Sequence, residues 1–442
     1  MNKEIEGYIL PFVLFILVLL LVITAVSFNQ SVIDIRETDR TVKDEDALYY
    51  AEAGFNRYLY FLNQDSKFYK TTKSNDLEDD DAIAFKDGFY NLEITAPTVS
   101  EPFVTVRSRG WVSGKEDKSR TIEVKIRKRQ FTNYVYGTGE ETLPDGTTKV
   151  WWTDDDVVNG PLHTNGTLNI DGDPVFNGEV SYTNGLDVRP LSNPVYNDGA
   201  PFQSQPLVFP ENNSELITWA QSPDGLYFEG RTCIYLDGDE LQIRNQNSAV
   251  TTYDIPANGV IYVDNIGSEM SKFDLDSGNI FISGELDGQL TIAAQNTIYI
   301  TGFDPTNWNN PGTFNSSDYT GGIRYANQTF DENNDDILGL TADRNIEILH
   351  YGWPNNDSDY HWSEYWNNVS VENITINAAI FALNGSFAFE DYSSGYPKGT
   401  ITMKGSMMQN YRGAVGTFYS GSGTKVSGYD KDYSHDQRML YD

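Results

Sequence analysis

Residues 8–28 read YILPFVLFILVLLLVITAVSF, a run of 21 residues without a charge near the start of a chain of 442 residues. An α-helix rises about 1.5 Å per residue and the apolar core of a bilayer is about 30 Å thick, so about 20 apolar residues suffice to cross it. The run therefore predicts a membrane span over residues 8–28. A small-residue cleavage site of the secretory type does not follow it, so a cleaved signal peptide is not favoured.

The apolar run continues into an amphipathic helix. Beyond the run, apolar residues recur at steps of three and four, at Leu48, Ala51, Phe55, Leu59 and Leu62. This spacing places them on one face of an α-helix. Pro11 fits the first turn of a helix that starts at Tyr8, because an N–H at that position would have no partner within the helix. We expect one long helix over residues 8–64.

A motif in the second half of this helix carries a family resemblance. Residues 47–55 read ALYYAEAGF, and the leader MNKEIEG ends at Gly7. Together with the half-apolar, half-amphipathic helix, they resemble PilX-like minor pilins of the type IV prepilin class. The resemblance implies that a prepilin peptidase cleaves after Gly7, so that residues 1–7 are a leader and Tyr8 is the mature N-terminus. The family motif comprises Ala51, Glu52, Ala53 and Gly54.

The fifth mature position refines this resemblance. Pilins that build a filament shaft carry glutamate there, whereas this chain has Phe12. In this respect the chain resembles minor or tip-type pilins and one class of pseudopilin in type II secretion systems. The resemblance implies a place among other pilins or pseudopilins, with the helix in the bacterial inner membrane before assembly.

The charge of the chain is concentrated downstream of the helix. The formal net charge is −33; residues 1–130 contain 18 Lys and Arg against 21 Asp and Glu, a net charge of −3, which leaves −30 for residues 131–442. A surface this acidic repels nucleic acid and anionic lipid and favours solubility and cation binding. Nucleic acid is therefore not an expected partner. The single cysteine, Cys233, excludes a disulfide within the chain.

Between the helix and the acidic part, residues 65–130 predict a small antiparallel β module. Three segments alternate apolar and polar residues, as half-buried strands do: 89–95, 103–107 and 121–127. The acidic run from Asp76 to Asp81 predicts the tip of a loop.

Residues 131–442 are rich in short triplets of two apolar residues around one polar residue, bounded by Gly, Asn and Asp. Two inward residues flanking an outward one, followed by a corner, is the pattern of a parallel β-helix coil. Triplets start at Ile346, Ile374 and Ile401, 28 and 27 residues apart, close to one full coil. We predict a mainly β protein whose acidic domain is a right-handed parallel β-helix-like solenoid; a β-sandwich is the alternative.

Several segments of the acidic part, including residues 159–170, 336–342 and 380–386, are similar to an uncharacterised domain of bacterial surface proteins that follows PilX-like N-termini. The resemblance covers most of residues 131–442. It implies an extracytoplasmic location and no catalytic residues.

The sequence also argues against an enzyme and against a metal site. The four histidines are scattered, and neither zinc-ligand spacing nor a common nucleophile or phosphate-binding motif is present. Asp331, Asn333 and Asp335 have the spacing that opens an EF-hand loop, but Asp336 and Ala342 stand where that loop needs Gly and Glu. We predict no catalytic residue, cofactor or metal ligand. A structural calcium ion is the alternative left open.

Aromatic residues crowd into a segment that breaks the strand pattern, residues 351–366. Such a loop would leave the coils and present its rings to a surface glycan or a protein ligand; the alternative is that the rings cover the apolar ends of the coils. The candidate contact residues are Trp353, Tyr360, Trp362, Tyr365 and Trp366.

These patterns predict a minor pilin-like structural protein of a type IV pilus-like surface assembly. It would be anchored in the inner membrane by its helix before assembly, and would then display the acidic domain at the cell surface for assembly or adhesion. One alternative is a minor pseudopilin of a type II-like secretion system. Another is a membrane-anchored β-helix protein that binds or acts on polysaccharide.

Overall fold

The computed structural model describes residues 9–79, 82–98, 101, 103–127, 130–154, 156–307, 320–331, 333–352, 368–419 and 425–440. The chain divides into two compact units, unit 1 (Met1–Lys128) and unit 2 (Arg129–Asp442). The protein is mainly β, with a long apolar helix near the N-terminus and an extended parallel sheet.

The described elements of unit 1 are α1 Ile9–Gln64, α2 Thr72–Asp79, β1 Ile83–Phe85, β2 Gly88–Thr95, β3 Val104–Val112 and β4 Arg120–Ile126. The four strands form one antiparallel sheet in the order β1-β2-β3-β4. The three alternating segments of the sequence lie in β2, β3 and β4.

Helix α1 is continuous over 56 residues, about 84 Å at 1.5 Å per residue. Its apolar first half is unburied, with exposed fractions from 38% at Ile16 to 71% at Phe28. It is the one helix among the described residues that is long and apolar enough to cross a membrane. The prediction of a long apolar N-terminal helix is confirmed.

The second half of α1 packs on the sheet of unit 1. Tyr58 is fully buried among Tyr90, Val106 and their neighbours in an apolar core. Residues 76–79 of the acidic run predicted as a loop tip are instead helical, in α2. Leu77 of α2 is 8% exposed in the same core, and burial of this side chain favours helix over loop.

The strands of unit 2 are short. They are β5 Tyr136–Glu140, β6 Val157–Asn159, β7 Leu162–Thr164, β8 Thr167–Ile170, β9 Val175–Phe176, β10 Val180–Tyr182, β11 Gly185–Val188, β12 Val195–Tyr196, β13 Phe202–Gln203, β14 Leu226–Glu229, β15 Thr232–Gly238, β16 Glu240–Asn245, β17 Thr251–Asp254, β18 Val260–Asp264, β19 Ile280–Leu286, β20 Gln289–Ala294, β21 Ile298–Ile300, β22 Gly322–Tyr325, β23 Ile337–Ala342, β24 Ile346–Ile348, β25 Ile374–Ala382, β26 Phe387–Phe389, β27 Pro397–Tyr411, β28 Gly416–Phe418 and β29 Lys425–His435. One short helix, α3 Glu215–Ala220, lies among them.

Most strand pairs in unit 2 are parallel, and ten strands form one continuous ladder. Its order is β13-β10-β7-β5-β27-β25-β23-β20-β18-β14. The chain therefore enters the ladder in the middle, at β5, and runs to one end at β13. It then crosses to the opposite end at β14 and returns strand by strand to β27, beside its starting point.

The predicted coil repeat is correct for one pair of triplets and wrong for another. Ile374 lies directly opposite Ile401 in the parallel pair β25–β27. Ile346, however, pairs with Ile298 and Phe387, and not with Ile374. Strand β24 belongs to a second row of strands, so spacing along the sequence alone does not define its partner.

The segment that joins the two ends of the ladder, residues 204–225, is named the strap here. Leu207 contacts Tyr134 and Met408, and Phe209 stacks on Phe131 at a ring-centroid distance of 5.6 Å. Further along, the Asn213 side chain donates to the carbonyl of Ala294 (3.1 Å) and accepts from the Tyr262 hydroxyl (3.0 Å). The strap therefore contacts the ladder from its middle strands to β18.

A close approach between β3 and α1 gives the first prediction. A Cβ on Gly110 would lie 2.2 Å from the backbone nitrogen of Ala51 and 2.4 Å from the carbonyl oxygen of Ala47. We expect Gly110→Ala to destabilise unit 1 by about 1–3 kcal/mol, because backbone has to move. Hydrogen–deuterium exchange of β2 and β3 peptides should accelerate. Gly185→Ala is the matched control, since its Cβ would meet only ordinary contacts at 3.7 Å; equal exchange in the two variants would contradict the packing.

The strap gives the second prediction. Asn213→Ala removes both side-chain hydrogen bonds and leaves the Tyr262 hydroxyl without this acceptor, at a cost of about 1–3 kcal/mol. Amide exchange should rise across residues 207–220. Glu211→Ala is the control, because that side chain is exposed and the bond from Asn384 goes to its backbone carbonyl. Similar exchange in both variants would show that the Asn213 side chain does not hold the strap.

Candidate functional site

The first candidate site is the bare apolar surface of α1. Nine consecutive exposed apolar positions would be unusual on a soluble monomer, because large apolar patches there are normally covered. The side chains from Val13 to Leu21 are all at least 38% exposed. Such a surface fits lipid or the apolar helices of neighbouring subunits.

The family motif lies on α1 where the helix meets the sheet, and its four residues face two ways. Ala51 is fully buried, and Gly54 approaches so closely that an added Cβ would lie 2.5 Å from the Ser108 hydroxyl oxygen. Glu52 is exposed and Ala53 is half-buried. The small residues Ala51 and Gly54 are therefore explained by packing, whereas Glu52 is available at the surface.

Two predicted sites fall outside the described residues. They are the leader cleavage site, Gly7 and Tyr8, and the aromatic contact loop, Trp353, Tyr360, Trp362, Tyr365 and Trp366.

The second candidate site is a cluster of charged side chains in unit 2. Lys272 forms a short ion pair with Glu390 and also donates to the carbonyl of Tyr351 at 3.0 Å. The second carboxylate oxygen of Glu390 accepts from the backbone N–H of His350 at 3.0 Å. Both charged side chains are about nine-tenths buried, 9% exposed for Lys272 and 11% for Glu390.

His350 is held neutral in this cluster. Its Nδ1 lies 3.0 Å from the carbonyl oxygen of Glu390, and its Nε2 lies 3.1 Å from the Asn368 amide nitrogen. Nδ1 therefore carries the proton and Nε2 accepts, an arrangement that neutral imidazole satisfies. Burial lowers the pKa of His350 to about 4.

The pKa of Glu347 is shifted upward, whereas that of His350 is shifted downward. It occupies the middle position of β24 and accepts a 2.9 Å hydrogen bond from the Asn345 side chain. Burial, followed by the negative charge of Glu390, raises the pKa of Glu347 to about 7. A carboxyl group in this range exchanges its proton near neutral pH, a property that general acids share.

Two acidic residues of the calcium-like segment accept hydrogen bonds from backbone N–H groups. The carboxylate of Asp331 accepts from the backbone N–H of Asn333 at 2.9 Å. Asp336 is 2% exposed and accepts from the backbone of Gly288 (2.8 Å) and Asn327 (3.0 Å). Within the described part of the chain, no three His, Cys, Asp or Glu side chains are placed to hold a metal ion. Cys233 is buried, which raises the pKa of its thiol to about 11.

Sequence reasoning missed the charged cluster. Lys272 and Glu390 are 118 residues apart, and no local pattern links them. The one available signal was the Ile346-Glu347-Ile348 triplet, which places a carboxylate between two buried residues.

The cluster gives the third prediction. Because the folded-state pKa of Glu347 lies above its usual 4.5, the protonated form is favoured by folding, and stability falls as pH rises from about 4.5 to about 7. Glu347→Gln removes this loss. In urea unfolding, the variant should match the wild type at pH 4.5 and exceed it by about 3 kcal/mol at pH 8.

The lowered pKa of His350 changes stability with pH in the opposite direction. This effect is present in both the wild type and Glu347→Gln, so it cancels in the stability difference between them. Glu285→Gln, at an exposed carboxylate on β19, is the matched control for the substitution itself. A constant difference between wild type and Glu347→Gln across this pH range would contradict the raised pKa.

Comparison with known proteins gives one family match. Residues 103–184 match a family described as a domain of unknown function (DUF4900). The match runs from the start of β3 in unit 1 to just beyond β10 in unit 2, less than a fifth of the chain, and its description names no activity. No curated protein sequence matches the chain.

Among solved structures, the chain is similar to the crystal structure of the competence-associated pilin ComZ from Thermus thermophilus. The sequence identity is 10%, the TM-score is 0.30, and the alignment covers 90% of this chain and 94% of that chain. A similarity this low supports no conclusion about the fold or the function of the present protein.

Proposed function

We propose that the protein is a PilX-like minor pilin, a structural component of a type IV pilus-like surface assembly. One observation carries the proposal: α1 is a single helix whose first half is bare and apolar, while its second half packs on a small antiparallel sheet. This division serves a subunit that is first held in a membrane and later exchanges lipid for neighbouring helices.

The second part of the proposal concerns unit 2, which we interpret as a right-handed β-solenoid displayed outside the membrane. The ten-strand parallel ladder supports it, as do the aliphatic side chains stacked along it, such as Ile292, Leu340 and Ile380. A stacked parallel architecture is rigid and presents long rows of outward residues. An acidic outer surface keeps such a domain soluble.

The role is structural or adhesive, without turnover. The partners are other pilins through α1, the membrane before assembly, and a surface glycan or protein through unit 2. A minor pseudopilin of a type II-like secretion system is the alternative, since it would use the same helix.

The fourth prediction tests processing. The terminal peptide of the protein isolated from its native host should begin at Tyr8, and Gly7→Val should leave Met1 in place and remove the protein from sheared surface filaments. Gly185→Ala, whose Cβ would meet only ordinary contacts at 3.7 Å, is a control far from the leader in sequence. An intact Met1 in the wild type would overturn the pilin proposal.

Deletion of the gene separates the two assemblies. Loss of surface fibres with normal protein export supports the pilus role, and lost export with intact fibres supports the pseudopilin alternative.

A further inference from the structure

A cavity of about 290 Å³ lies in unit 2 where the last strands of the ladder return to the first. Strand β27 pairs with β5 on one side of it, and β29 pairs with β6 on the other. Its lining includes six aromatic or cationic side chains: Tyr136, Trp152, Phe387, Arg412, Lys431 and Tyr433. We refer to it as the Trp152 cavity.

Aromatic rings shape its walls. Tyr136 meets Trp152 edge to face at a centroid distance of 5.0 Å and lies parallel to Tyr433 at 6.4 Å. Trp151, half-buried, also lines the cavity near its exposed neighbour Lys149. Flat aromatic walls bind ligands that present an apolar face.

One buried and one partly buried cation border the same cavity. The guanidinium of Arg412 stacks on Trp152 at 4.0 Å and donates from Nη1 to Glu141 at 2.7 Å, with both side chains at most 3% exposed. Lys431 lies 2.6 Å from Asp156. Each cation is paired with a carboxylate, so the net charge of these four groups is zero. They therefore give no reason to expect an anionic ligand.

Hydrogen-bond donors at this site outnumber their acceptors. A guanidinium has five N–H groups, yet the bond to Glu141 is the one side-chain bond from Arg412 within the described residues. The indole Nε1 of Trp152 is buried and has no acceptor there. Buried donors are normally paired, so the guanidinium of Arg412, which lines the cavity, favours acceptor oxygens from water or from a ligand.

We propose that the Trp152 cavity binds one neutral sugar ring, either a free monosaccharide or the terminal residue of a glycan. A sugar presents C–H faces to aromatic rings and hydroxyl oxygens to the Arg412 guanidinium. The volume lies near the lower end of the usual range for ligand pockets, about 300–1,000 Å³, which suits a single ring. The argument uses unit 2 alone and does not depend on the pilin proposal.

The fifth prediction tests this site. The full chain, purified in a detergent without a sugar headgroup, is titrated with glucose, galactose, mannose and N-acetylglucosamine, and saturation-transfer NMR detects binding. At least one sugar should bind saturably, with a Kd of about 1 mM or tighter. Binding should slow amide exchange in residues 136–153 and 407–418.

Trp151→Ala, at the half-buried wall, should weaken binding about tenfold or more, while Trp219→Ala, 60% exposed on α3, should leave it unchanged. Circular dichroism confirms that both variants are folded. Binding of an oligosaccharide with the same terminal sugar identifies a glycan ligand, and binding of the monosaccharide alone identifies a free sugar. No saturable binding to any of the four sugars, or binding insensitive to Trp151→Ala, would overturn the proposal.

Discussion

Unit 2 depends on the parallel pairing of β5 with β27, in which Tyr136 lies opposite Met407. This pair joins two blocks of strands that the chain builds separately, one before the strap and one after it. Ion pairs gather at the junction: Glu141 with Arg412 is buried, and Asp156 with Lys431 is partly buried. Such pairs add little net stability over apolar residues, but a shifted register would leave their charges buried and unpaired. We therefore infer that these ion pairs favour the observed register between β5 and β27.

The same junction explains where a cavity forms. Elsewhere in the ladder, aliphatic side chains such as Ile292 and Leu340 stack on similar residues. At the junction the chain places large rings and charged groups instead, and these do not fill space as branched aliphatic side chains do. The cavity in unit 2 is thus a consequence of joining two blocks of strands whose facing side chains differ. The ladder itself continues through the junction.

The sequence predicted what local patterns determine and missed what distant contacts determine. The uncharged run marked the apolar half of α1, and the triplets at Ile374 and Ile401 marked neighbouring strands, because both signals lie within one element or one repeat. The partner of Ile346 and the pairing of β5 with β27 depend on contacts between distant segments. Such contacts produce no periodic pattern in the sequence. Residues 76–79 of the acidic run are helical because Leu77 packs in an apolar core, a tertiary effect that overrides local composition. Glu347 escaped notice because its neighbours, rather than its own position, determine its burial.

The strap gives unit 2 a mechanical property. Nine ladder steps of about 4.8 Å separate β13 from β14, about 43 Å in all. The 22 residues between these strands span at most about 75 Å when fully extended. A force that pulls the two ends of the ladder apart is carried by backbone hydrogen bonds only until the strap is taut, at less than twice the native separation. Beyond that extension the covalent chain itself bears the load, so the strap acts as a tether that limits how far the strands separate.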